Sequence, residues 1–278
     1  MVLRVASWNI NSIRIRLELL KTVIESNNLD AILLQETKCQ EYDFPSSAIQ
    51  SMGMNHLYKG QKSYNGVAIL SKYPIELETK ELPLYGMQNE DNEARYLEAI
   101  ITVNSKIIRL ASIYVPMGGS ILQPNETLEE SERFNYKLNF YRRMQKRIEE
   151  LKKDTNNFQD EYIIFGGDLN VAQEEIDLTH PKANDGGVGF HPFERQELRN
   201  IKSIGLHDAF REKYPNVKQY SWWDYRTRAF ERNVGWRLDY LLVSKNVIEG
   251  MNNCYVDMKT RGKPKTSDHA PTIIEFKI

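Results

Sequence analysis

Eight residues of this 278-residue chain share one setting. Asn9, Glu36, Tyr114, Asp168, Asn170, Asp239, Asp268 and His269 each stand at or near the end of an apolar run that reads as a strand. The centre of the pattern is Tyr162–Asn170, YIIFGGDLN. Its β-branched run breaks at two glycines and delivers an aspartate and an asparagine two residues apart, which face one side of an extended segment. Gly166 and Gly167 allow a turn or a close approach there. Taken alone, an Asx turn capping a strand explains the stretch equally well. The repetition favours a site: a chain that needed only a core would not require so many acids at strand ends. The economical chemistry has some carboxylates holding a divalent cation, another activating water, and an Asp–His pair working on a phosphoryl group. Asp239 lies among apolar neighbours, and a buried carboxylate needs a partner.

The elements that must position these groups follow from periodicity. Strands are expected at Leu3–Ile10, Ala31–Leu34, Tyr64–Ser71, Tyr96–Val103, Lys106–Pro116, Arg237–Ser244 and Thr272–Ile278, besides the central one. A helix is expected from about Arg14 to Asn27. A second spans Phe134–Lys152, with Leu138, Tyr141, Met144, Ile148 and Leu151 on its buried stripe and Arg142, Arg143, Lys146 and Arg147 on a solvated face. A third runs from Pro192 to just before Gly205. Arg195, in its first turn, opposes the helix dipole and calls for an anionic partner such as Asp185 or Glu194. Residues 117–132 read as a long surface loop. The segment His180–Pro192 is too long for a simple connector, and Asn184 within it is a candidate ligand contact.

Composition narrows the setting. With 41% hydrophobic and 27% charged residues the chain is ordinary globular material, expected to form a single domain over residues 1–278. Lys+Arg 37 against Asp+Glu 38 leaves a net charge of −1, so a nucleic-acid partner must be met by local basic clusters. Two such clusters exist. Tyr220–Trp236, YSWWDYRTRAFERNVGW, interleaves arginines with aromatics, as proteins do when they stack on bases and hold phosphates, although a hairpin with core aromatics and snorkelling arginines has the same composition. Lys259–Lys265, KTRGKPK, runs up to the Asp268–His269 pair. Two cysteines, Cys39 and Cys254, lack metal-type spacing, and no signal peptide or membrane-length apolar run occurs, which points to the reducing cytoplasm. Nothing precedes the first strand, so no appended regulatory function is expected.

Six blocks carry a resemblance: WNIN (8–11), LQETK (34–38), YVP (114–116), GGDLNVA (166–172), NVGWRLDY (233–240) and SDHAP (267–271). In this order they resemble the signature blocks of the exonuclease III family of apurinic/apyrimidinic endonucleases. The resemblance implies an α/β fold, a four-layer sandwich of two mixed sheets with helices outside. It implies hydrolysis of the DNA phosphodiester 5′ to an abasic site, with 3′–5′ exonuclease and 3′-end-cleaning activity. The cofactor would be Mg²⁺, with Mn²⁺ able to substitute, and the partner double-stranded DNA containing abasic sites or 3′ ends, bound by a monomer. Glu36 would be a metal ligand with Asp268 and Asn11 beside it. Asp168 would activate or position water, Asn170 orient it, and His269, held by Asp239, bond the scissile phosphate together with Tyr114 and Asn9. Trp222 and Trp236 would line a pocket for the extruded sugar. Arg14, Lys38, Tyr64, Asn184 and Arg226 would meet the DNA backbone or groove.

Two positions depart from the family pattern. Asn11 stands where some members have aspartate, and Met117 where others carry Asn or Gln. Two alternatives compete with the nuclease reading. One is a phosphodiesterase or phosphatase of the same superfamily acting on another phosphate ester; the other is a catalytically silent DNA-binding module.

Overall fold

The structure is a computed structural model, and it describes residues 1–86, 91–119, 126–153 and 161–278. Among these, the strands are β1 (Val2–Asn9), β2 (Ala31–Gln35), β3 (Asn55–Lys59), β4 (Val67–Ser71), β5 (Ile75–Thr79), β6 (Tyr96–Val103), β7 (Lys106–Tyr114), β8 (Tyr162–Asp168), β9 (His207–Asp208), β10 (Asp239–Val243), β11 (Met251–Val256) and β12 (Thr272–Lys277). The helices are α1 (Leu17–Ser26), α2 (Ser46–Ser51), α3 (Glu132–Lys153), α4 (Pro181–Asn184), α5 (Pro192–Ser203), α6 (Ala209–Lys213), α7 (Lys245–Gly250) and α8 (Met258–Arg261). No helix among the described residues is long and apolar enough to cross a membrane.

The strands form two six-stranded sheets, ordered β11-β12-β1-β2-β4-β3 and β5-β6-β7-β8-β10-β9. Each is mixed: β1 and β2 run parallel, as do β7 and β8, while their outer neighbours are antiparallel. The sheets pack face to face, because alternate residues such as Leu3, Val5 and Leu33 meet Leu110, Ile164 and Leu241 in one buried cluster. The opposite faces are covered by helices. Trp8, Ile32 and Leu34 take Leu20, Val23 and Ile49 from α1 and α2. Ile113 and Phe165 take Tyr141, Met144, Ile148 and Leu198 from α3 and α5. This is the four-layer sandwich expected.

Gly166 and Gly167 explain how closely the central strand is packed. A Cβ on Gly167 would lie 1.9 Å from the Ile113 carbonyl oxygen, and one on Gly166 would lie 2.7 Å from Leu33 in the facing sheet. Neither glycine adopts the left-handed conformation, so close approach rather than a turn requires them.

Several expectations need correction. Four strands went unpredicted: β3, β5, β9 and β11. The first helix begins at Leu17 rather than Arg14, since residues 11–16 form the turn that builds the site. The loop expected over 117–132 contains a short helical turn at Leu128–Glu130, and its residues 120–125 lie outside the described ones. Arg143 and Arg147 are not solvated: Arg143 is buried and paired with Asp91, and Arg147 pairs with Glu78 and with Glu98, which Arg109 also holds. Arg195 finds neither Asp185 nor Glu194. It donates to the Gln173 carbonyl, pairs with Glu174 and lies over the Phe190 ring.

Candidate active site

Parallel pairing sends β1 and β2 to one end of the first sheet, and β7 and β8 to the same end of the second. Asn9, Glu36, Tyr114 and Asp168 therefore emerge together. β10 runs the opposite way and begins at that end, with Asp239 directly across from Asp168. The turn before β12 brings Asp268 and His269, pinned by Ser267, whose hydroxyl donates to the Asn9 carbonyl at 2.6 Å. All eight residues singled out by the pattern converge on one place.

The chain leaves these strands under strain. Asn11, Ser12, Glu36, Lys38 and Asn170 all have φ between 48° and 87°. Asparagine tolerates this region, whereas Glu36 and Lys38 hold it at a cost of about 1–3 kcal/mol each. Such residues gather at functional sites because the left-handed turn aims the side chain where a relaxed backbone would not.

Asp168 is the hub. Its Oδ1 accepts the Asn170 backbone N–H at 3.0 Å, its Oδ2 accepts Asn9 Nδ2 at 3.0 Å, and His269 Nε2 lies 3.6 Å away. His269 Nδ1 bonds Asp239 Oδ2 at 2.8 Å. Burial raises the Asp168 pKa to about 7, with Asp239 and Glu36 adding to the rise and His269 and Asn9 opposing it. Burial works against charge on His269 too, but Asp239 and Asp168 overcome it and lift its pKa to about 10. The pair thus couples a carboxylate poised near neutrality to an imidazolium.

Glu36 and Asp268 behave differently. Burial pushes each upward, yet hydrogen bonds to Glu36 from Asn9 and Lys38, and the His269, Asn11 and Trp222 groups around Asp268, hold both below the ordinary carboxylate range. Lys38 Nζ sits 2.7 Å from Glu36 Oε2 and 2.7 Å from Asn11 Oδ1. Asn11 Nδ2 in turn donates to Asp268 Oδ1 at 2.9 Å. An ammonium is therefore already held between oxygens of two of the three expected metal ligands.

These groups face a pocket of about 320 Å³ whose other wall is apolar: Met117, Val188, Trp222, Trp236 and Leu238. Trp222 is fixed there by its Nε1–H bond to Asp268 Oδ2 at 3.0 Å. Trp223 is not part of the wall, being fully buried in a separate cluster.

Sequence reasoning missed the supports. Lys137, wholly buried on α3, pairs with buried Glu194 of α5 and donates to the Asn170 and Met117 carbonyls. Glu194 accepts the backbone N–H groups of Gly189 and His191. One ion pair thereby ties together the three loops around the pocket. Arg95 lies over the Tyr114 ring at 4.8 Å. A lysine inside a helix's apolar stripe was the available signal for the first of these.

With this geometry in view, the kinship is clear. A model described as the Endonuclease/Exonuclease/phosphatase family matches residues 6–269. The chain belongs to that family. It is 31% identical over 278 residues to exodeoxyribonuclease III of Haemophilus influenzae, covering 98% of each chain. The structure of an AP endonuclease from Archaeoglobus fulgidus superposes with a TM-score of 0.86 at 31% identity, over 99% of this chain and 100% of that one. The 3′ phosphatase NExo from Neisseria, bound to product DNA hairpin, does so with a TM-score of 0.85 at 29% identity, over 99% and 100%.

The residues expected to meet DNA are more dispersed than the cluster around Asp168. Tyr64 is 72% exposed, and Arg14 is half exposed with Asp43 at 3.7 Å. Arg226 extends from the surface on Asp224, and Asn184 donates to the His180 carbonyl in the short helix α4. Lys38 is the exception, since its ammonium lies inside the site.

Proposed function

We propose that this chain is a DNA-repair nuclease that hydrolyses the phosphodiester 5′ to abasic sites in duplex DNA, and that it also removes nucleotides and blocking groups from 3′ ends. The observation that carries the reading is the single pocket in which the Asp168–His269–Asp239 cluster faces the Trp222–Trp236 wall. An aromatic wall suits a flipped-out sugar lacking its base, and a missing base lowers the cost of extrusion. The reading includes a cytoplasmic monomer folded as one domain.

Mg²⁺ is the proposed cofactor, with Mn²⁺ able to substitute. The donor chemistry fits: Glu36, Asp268 and Asn11 offer oxygens, which hard cations select, and the Lys38 ammonium marks where positive charge is held. Asp168, Asp239 and His269 also bring ligand atoms within 4.8 Å of one another. That cluster is less apt as a cage, because Asp239 Oδ2 and His269 Nδ1 are already bonded to each other. When bound, the cation would neutralise charge on a phosphate oxygen.

The chain's own groups do the rest. Asp168, with two donors fixing its carboxylate, positions a water in line with phosphorus and accepts its proton. The water oxygen bonds to phosphorus as the 3′ oxygen leaves. His269, kept charged by Asp239, donates from Nε2 to the non-bridging oxygens, where negative charge gathers. Tyr114 adds a neutral O–H donor, since burial and then Glu36 and Asp168 push its pKa well above the ordinary value.

The test incubates the protein with a duplex holding one central abasic analogue, and with an undamaged duplex bearing a recessed 3′ end, each with Mg²⁺ and with chelator. Mg²⁺-dependent incision at the lesion supports the reading. Absence of cutting on both duplexes sinks it and redirects the search to other phosphate esters.

A further inference from the structure

Trp222 and Trp223 adjoin in sequence but serve opposite sides of one segment. Trp222 faces the reaction pocket, while Trp223 packs edge-on against Tyr220 and Phe230. On the Phe230 side lies a second cleft of about 240 Å³, lined by Tyr225, Arg228, Phe230, Glu231, Arg261 and Lys263 among others. Two of its three cations come from the basic run 259–265.

Arg261 is unusual among them. It is only 7% exposed, at the end of α8. Nε donates to the Asp268 carbonyl at 3.2 Å and Nη2 to the Trp223 carbonyl at 3.1 Å. Its guanidinium lies against the rings of Phe230 at 4.8 Å, Tyr225 at 5.6 Å and Trp223 at 5.9 Å. Carbonyls and ring faces solvate a cation without neutralising it. Among the described residues no carboxylate forms an ion pair with Arg261, and Nη1 has no hydrogen-bond partner. Of the acids on the rim, Asp224 is taken by Arg226 at 2.6 Å, which leaves Glu231. Three cations thus stand against one uncommitted acid on the rim, with the Asp268 carboxylate acting on Arg261 from outside the cleft, and buried positive charge with a spare donor calls for an anion.

We propose that this cleft is a second anion subsite, seating a backbone phosphodiester of the bound duplex close to the one being cut. The proposal rests on the nuclease reading above. It also gives the cleft a link to the reaction: the guanidinium that meets the phosphate carries the main-chain carbonyl of Asp268.

The test measures binding of a fluorescent duplex with a central abasic analogue by anisotropy, in chelator, between about 50 and 200 mM salt. Arg261 braces Asp268, so the exposed pair is changed instead, as Arg228→Gln with Lys263→Gln. Losing the subsite should make the slope of log affinity against log salt shallower by about 1 and weaken binding at low salt about tenfold. Glu231→Gln should tighten binding. Lys245→Gln, an exposed charge change on α7, should alter neither. Wild-type slope and affinity in the double variant, or an equal loss in Lys245→Gln, overturns the subsite. Failure of the unmodified protein to bind duplex overturns the nuclease reading and the subsite with it.

Discussion

Lys137 Nζ donates to the main-chain carbonyl of Asn170 at 2.7 Å from a side chain with no solvent exposure. The helix layer thereby reaches through to the turn that follows Asp168. Lys137→Met would strand the Glu194 carboxylate, and breaking a buried pair in this way costs about 3–5 kcal/mol. Adding Glu194→Leu should return most of that stability in a denaturant melt. The cutting rate should stay low in the double variant, because the Gly189, His191, Asn170 and Met117 backbones remain untied. Recovery of rate together with stability would show that the pair only fills space.

Asp168→Asn should lower the single-turnover cleavage rate by about 10²–10⁴ while far-ultraviolet circular dichroism stays unchanged. Its stability relative to wild type has a defined pH trend in metal-free protein. The wild-type carboxyl has a folded pKa of about 7 against an ordinary 3.8, so it stabilises the fold at low pH and loses that contribution as pH rises through about 7. The amide has no such loss. Melts across that window should show the variant gaining on wild type.

His269 should remain protonated well above neutrality. A folded pKa of about 10 against 6.5 means its contribution to stability is complete below 6.5 and disappears as pH rises through about 10. Ring proton shifts in chelator provide the check: His269 should keep its charged shift at a pH of about 8, where an ordinary histidine is neutral. Asp239→Asn removes the largest group raising that pKa and should bring the titration down toward neutrality. An unaltered curve would count against Asp239 as the holder of the charge.

Lys38 occupies Glu36 Oε2 and Asn11 Oδ1. A divalent cation taking those oxygens must displace its ammonium. Lys38→Met should therefore lower the Mg²⁺ concentration needed for half-maximal cutting, and terbium luminescence without DNA should saturate earlier in the variant. Weaker terbium binding would instead make Lys38 a support of the cation site.

Gly167→Ala should prevent stable folding, because the new Cβ would sit 1.9 Å from the Ile113 carbonyl oxygen in the β7–β8 pair. Soluble expression and a melt decide this directly.

The site was more legible in the sequence than the scaffold that braces it. Apolar runs ending in Asn9, Glu36, Tyr114 and Asp168 could be read because a strand buried on both faces is continuous, and the polar residue that ends it stands out. β3 and β5 were missed for the converse reason: they are outer strands, partly exposed, with sequences such as IELET that read as loop. The two-residue β9 is too short to show periodicity. Arg143 and Arg147 were misjudged since helical spacing alone does not reveal that Asp91 and Glu98 wait on a neighbouring layer. The Lys137–Glu194 pair spans 57 positions and leaves no local pattern.

The place of β1 also sets when the protein can work during its own synthesis. β1 lies in the interior of its sheet, hydrogen-bonded on one side to β12, which is made after all the other described strands. Until residues 272–277 leave the ribosome, residues 2–9 present a bare edge that invites pairing with another chain. Asp268 and His269 arrive at the same late moment. A chain stopped before residue 267 would thus have an open sheet and lack both Asp268 and His269, so the sheet and the site are completed together once residues 267–277 have emerged.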